Sequence, residues 1–78
     1  MELTPEEKAM FEWQYRMMGD FRTALMKTIC LADVNNLAKL ESSFPDEVNG
    51  YRKYSQESGW WKKVQNKAVK MGWIKHAD

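Results

Sequence analysis

Apolar side chains recur at helical spacing along residues 5–32, with Met10, Met17, Ala24 and Leu31 on one line and Phe11, Met18, Leu25 and Ala32 beside it. Phe21 and Ile29 fill the same broad stripe, and the phase runs through Gly19 without interruption. A turn normally resets such a phase, so the pattern predicts one long N-terminal helix over residues 5–32, with Gly19 costing about 1 kcal/mol relative to alanine. The alternative takes Gly19-Asp20 as a C-cap followed by an N-cap, which would give two short helices. The start is well marked in either case. Thr4-Pro5-Glu6-Glu7 has the form of a capping box with proline at the first helical position, where its missing N–H leaves no bond unmade.

Asp33 is placed to cap a second helix that turns Val34, Leu37, Leu40 and Phe44 inward and leaves Asn35, Asn36, Lys39 and Ser42 in water. Pro45 ends it by excluding the α region for Phe44. The same proline opens a further helix with Asp46 and Glu47 in its first turn, and Val48, Tyr51 and Tyr54 or Ser55 on its inner side. Ser58-Gly59 punctuates the chain before a last helix. That helix has Trp61, Val64, Ala68 and Met71 on one side and Lys63, Lys67 and Lys70 on the other. Gly72 suits a left-handed cap with Trp73 folding back onto the helix. No strand alternation or internal repeat is present. The expected fold is all-α: a single domain over residues 1–78, built as a small bundle of three to four helices with a long N-terminal helix and a loosely ordered tail at 72–78.

A chain of 78 residues has room for one core, worth about 3–5 kcal/mol unless a disulfide, a metal or a partner adds to it. The lone Cys30 cannot make an internal disulfide. In the apolar stretch Ile29-Cys30-Leu31-Ala32 it reads as a buried, unreactive thiol of a reducing compartment. The acidic N-terminus has no apolar signal core, and no apolar run reaches membrane-spanning length, so a cytoplasmic protein with no membrane partner is expected.

Three stretches carry a resemblance when taken together: Phe11-Glu12-Trp13-Gln14-Tyr15-Arg16-Met17-Met18-Gly19-Asp20-Phe21, then Ala32-Asp33-Val34-Asn35-Asn36-Leu37, then Phe44-Pro45-Asp46-Glu47-Val48-Asn49-Gly50-Tyr51 through Gly59-Trp60-Trp61. Over residues 3–61 the chain resembles short, functionally uncharacterised proteins encoded by phages and prophages of Firmicutes and other gut bacteria, with residues 62–78 as an extension. The resemblance implies a bacterial host cell and action by binding a host or phage macromolecule. Some small phage proteins of this kind inhibit bacterial defence systems such as CRISPR effectors. It implies no activity, cofactor or catalytic residue.

Catalysis needs convergent titratable groups, and the chain offers one histidine, one cysteine and carboxylates placed mostly at helix starts. Cys30 and His76 do not make a tetrahedral metal site. No enzyme activity, metal or cofactor is expected. Charge says more. The near-neutral total of 12 basic and 11 acidic residues hides an acidic front, up to Tyr51, and a basic back from Arg52 onward.

One reading makes Lys62, Lys63, Lys67 and Lys70 a nucleic-acid-binding face flanked by aromatics. The other makes them a solvated helix face attracted to the acidic front. Trp13, Tyr15, Met17, Trp60 and Trp73 fall partly outside the core stripes in this phasing, which marks them as partner-binding residues. A host or phage protein, or a second copy in a homodimer, would cover them. The expected function is a phage-encoded helical binding protein that occludes a protein partner. A nucleic-acid-binding accessory protein is the alternative, and a nucleotide-sequestering protein a weaker one.

Overall fold

A computed structural model describes residues 2–77, and among these the secondary structure is helical, with no strand. Five helices follow in order: α1 Pro5–Gln14, α2 Asp20–Leu31, α3 Val34–Ser43, α4 Pro45–Gln56 and α5 Trp60–Lys70. The capping box forms as the sequence predicts, with the Thr4 amide donating to Glu7 Oε1 at 2.8 Å and the Glu7 amide donating to Thr4 Oγ1 at 3.2 Å. Asp33 caps α3 through its carboxylate, which accepts from the Asn36 amide at 2.8 Å. Pro45 opens α4.

The long N-terminal helix does not form. α1 stops at Gln14 in a Schellman closure, in which the Met17 amide donates to the Glu12 carbonyl at 2.7 Å and the Arg16 amide to the Trp13 carbonyl at 3.2 Å. Arg16 takes the left-handed position, at φ 56°, where glycine is the usual occupant. Gly19 is extended and serves only as the N-cap of α2. The physical reason lies in core size. An unbroken helix over residues 5–32 would be about 42 Å long and would hold Met10 and Met26 about 24 Å apart. The whole molecule spans 37 Å along its longest axis, and both methionines are fully buried in one cluster with Ala9, Leu25, Ile29 and Val48.

Breaking the helix resets its phase. α2 buries Leu25, Met26 and Ile29, while Ala24, Leu31 and Met17, expected in the stripe, face solvent together with Phe21. Cys30 is likewise exposed, against the expectation of a buried thiol. On α3, Leu37 and Leu40 are half-buried as expected, but Val34 is open.

α4 touches all four other helices. Its closest approach is to α1 at Gly50, where an added Cβ would sit 2.8 Å from the Glu6 carbonyl oxygen and 3.2 Å from Met10 Cγ. A second cluster forms where α5 meets α1, from Phe11, Val64 and Ala68. Beyond α5, Gly72 adopts φ 79° and the Trp73 amide donates to the Ala68 carbonyl at 2.9 Å, closing a second Schellman turn. The start of the expected loose tail is therefore ordered, with Trp73 against Phe11 and Ile74 packed on the second cluster.

Gly50→Ala is expected to lower stability by roughly 1–3 kcal/mol, because the obstructing atom is backbone and the two helices must separate. Denaturant unfolding checks this. An unchanged midpoint would mean that α1 and α4 do not approach so closely.

Candidate protein-binding surface

The aromatic residues that the sequence leaves over are mostly used inside the molecule. Ring contacts run continuously from Trp73 to Phe11 (5.2 Å between centroids), Tyr15 (4.6 Å), Trp61 (6.3 Å), Tyr54 (5.5 Å), Trp13 (5.8 Å) and Tyr51 (6.2 Å). Tilted and edge-to-face contacts at these distances suit the ring quadrupoles. The chain of rings ties α1, α4, α5 and the final turn together. Of the five expected partner-binding residues, Trp13 and Tyr15 are half-buried members of this chain. Trp60 packs against both core clusters. Only Met17 and Trp73 stay substantially open, and they line one shallow groove of about 360 Å³ with Lys8, Phe11 and Glu12.

The basic back meets the acidic front within one chain. Lys67 Nζ donates to both carboxylate oxygens of Glu7, at 3.0 and 2.8 Å, and Lys53 Nζ donates to Glu6 Oε1 at 2.6 Å. Arg22 joins Glu12 of α1 (2.8 Å) to Glu47 of α4 (3.4 Å), and Arg52 pairs with Glu41. Lys67 therefore faces α1 rather than standing on a solvated face with Lys63 and Lys70, which leaves the expected phosphate-binding row broken at its centre. Lys62 and Lys63 are exposed at the start of that helix.

Glu7 is buried and its carboxyl lies below the usual carboxylate range. Burial alone would raise it. The Lys67 hydrogen bond, the Thr4 backbone amide and the ammonium charge together outweigh that effect. Cys30 has its thiol pKa raised by desolvation against α4, partly offset by a hydrogen bond from the Tyr51 hydroxyl. Among the described residues no group of three or more His, Cys, Asp and Glu side chains comes together to hold a metal ion, and no helix is long and apolar enough to cross a membrane.

A second group of exposed apolar side chains lies where the sequence phasing expected core. On the outer face of α2, Phe21, Ala24, Thr28 and Leu31 follow at spacings of three and four residues, with the Phe21 ring 6.1 Å from that of Phe44, and Val34 at the first position of α3 is exposed as well. Phe21 is 67 % exposed, Leu31 77 % and Val34 83 %. Beside them Thr28, Leu31, Ala32, Asn36, Lys39 and Leu40 line an open groove of about 400 Å³ between α2 and α3. Sequence reasoning missed this site because an unbroken first helix would have turned Phe21 and Leu31 inward. The sequence signal for this site is Gly19-Asp20, although Gly19 serves as the N-cap of α2 rather than as a C-cap and Asp20 is the first residue of that helix.

The fold and this surface define a class, an all-α protein with five short helices among the described residues and an open apolar corner. No protein-family model, curated protein or solved structure matches the chain.

Glu7→Gln keeps the cap acceptor but removes the charge. It is expected to cost about 1 kcal/mol near neutral pH, discounted for the partly exposed Lys67. Since the folded pKa is depressed, that stability is present above the ordinary value of 4.5 and is lost as pH falls through the lower folded value. Unfolding curves of the two proteins should therefore converge in acid. Native Cys30 is expected to react with a thiol reagent, with a pH midpoint above that of the unfolded chain. Tyr51→Phe should move the midpoint higher still. Complete protection in the native state would place Cys30 in the core after all.

Proposed function

We propose that this chain is a helical protein-binding module that works by covering a surface of its partner rather than by catalysis. The observation that carries the reading is the α2–α3 corner, where Phe21, Leu31 and Val34 stand in solvent. A small chain that turns Trp13, Tyr15 and Trp60 inward still leaves these three outside, and contiguous apolar exposure of this kind marks interaction sites. The groove beside them adds the concavity that a protruding side chain of a partner would fill.

The resemblance in sequence supplies the setting, a host or phage protein as the partner and a bacterial defence complex such as a CRISPR effector among the targets. The Lys67–Glu7 pair counts against a nucleic-acid face, because it removes one of the lysines such a face would use. Self-association through the same corner would be a further use of one patch.

Immobilised protein exposed to a bacterial host lysate should retain a protein that the double variant Leu31→Asp with Val34→Asp fails to retain. Both positions are so exposed that helicity and unfolding midpoint should be unchanged by the substitutions. Retention should persist at high salt. If only nuclease-sensitive material is held, and is released as salt rises, the reading is wrong and the basic helix is the working surface.

A further inference from the structure

The geometry points to the occupant of the α2–α3 corner: an amphipathic helix of another protein, with an apolar stripe flanked by acidic side chains. This inference rests on the protein-binding reading and gives it a chemistry. Phe21, Ala24, Thr28 and Leu31 repeat at the alternating three- and four-residue spacing onto which a second helix packs its own stripe. The groove between α2 and α3 runs beside that line. A helix laid along it would bury Leu31 and Phe21 and put side chains against Ala32 and Leu40.

Charge selects among helical partners. Lys27 lies on the outer flank of the stripe, three residues from Ala24 and four from Leu31, and Lys39 lines the groove on the opposite side. Neither has an acid within ion-pair distance among the described residues, whereas Arg22, Arg52, Lys53 and Lys67 are all paired across helices. Of the three acids of α2, α3 and the turn between them, Asp33 is engaged as the cap of α3, Glu41 is paired with Arg52, and Asp20 stands in the first turn of α2, at the far end of the stripe. A partner helix therefore meets two uncompensated ammonium groups along its middle. A second copy of α2 fits poorly, because antiparallel pairing about the middle of the stripe would set Lys27 beside its own symmetry mate.

The test uses two synthetic helical peptides with leucine at the a and d positions of each heptad and either glutamate or lysine at the flanking e and g positions. Titrated into the isotope-labelled protein at low salt, the acidic peptide should shift amide signals of α2 and α3 and bind roughly tenfold more tightly than the basic one. The gap should narrow as salt screens it. Lys27→Glu with Lys39→Glu should reverse the preference. Leu31→Asp should abolish binding of the acidic peptide while leaving the fold intact.

Equal binding of the two peptides overturns the charge assignment, and no binding, or shifts confined to α5, overturns the site. Sedimentation showing a dimer that Leu31→Asp dissociates would assign the stripe to a second copy and also overturn the inference. In each case the lysate experiment above still decides the protein-binding reading by itself, since it depends on no property of these peptides.

Discussion

The close crossing of α1 and α4 at Gly50 is the constraint from which the rest of the structure follows. With no side chain at that position, the α1 backbone at Glu6 and the Met10 side chain lie directly against α4. This brings Ala9, Met10 and Val48 into one cluster, and α2 then closes it with Leu25, Met26 and Ile29. α2 can do so only if the chain reverses between Gln14 and Asp20. Arg16 accordingly adopts a left-handed conformation that costs a non-glycine residue roughly 1–2 kcal/mol. Burial of Met26 and Ile29, each worth about 1.5–3 kcal/mol, outweighs that cost.

Ion pairs then fix how the helices sit around this crossing. Glu6 and Glu7 of α1 reach Lys53 of α4 and Lys67 of α5, and Arg22 of α2 bridges Glu12 and Glu47. Each pair is partly exposed, so each contributes modestly to stability. Their combined effect is positional. Glu7 shows the economy of the arrangement, since one carboxylate caps α1 and anchors α5. The separation of acidic front from basic back is thus a means of bringing the two ends of the chain together.

Apolar residues divide in a way that bears on function. Rings from three helices and the last turn line up inside the molecule, which leaves the expected Trp and Tyr interface largely consumed. α2, by contrast, has two apolar faces, and only the one with Leu25, Met26 and Ile29 is covered by this chain. The other, with Phe21 and Leu31, is left mostly in solvent although the Phe21 ring meets Phe44 of this chain at 6.1 Å between centroids, and Lys27 and Lys39 flank it with no ion pair among the described residues.

Local chemistry was decided by the sequence alone. Thr4 with Glu7, Asp33, Pro45 and Gly72 determine helix ends through hydrogen bonds and backbone preferences that involve only near neighbours in the chain. The helical class, the inward faces of α4 and α5 at Val48, Val64 and Ala68, and the return of Trp73 onto the bundle follow from the same short-range rules. What happens at residues 15–19 was decided by tertiary structure. An unbroken helical phase is locally consistent with continuation, and no cap residue of the usual kind marks the stop. The break is imposed by a long-range requirement, that Met10 and Met26 share one small core, and it also lets Arg22 reach both Glu12 and Glu47. Exposure of Phe21, Cys30, Leu31 and Val34 follows from that break. Periodicity within a helix reports which residues share a face, while the face that turns inward depends on where distant helices lie.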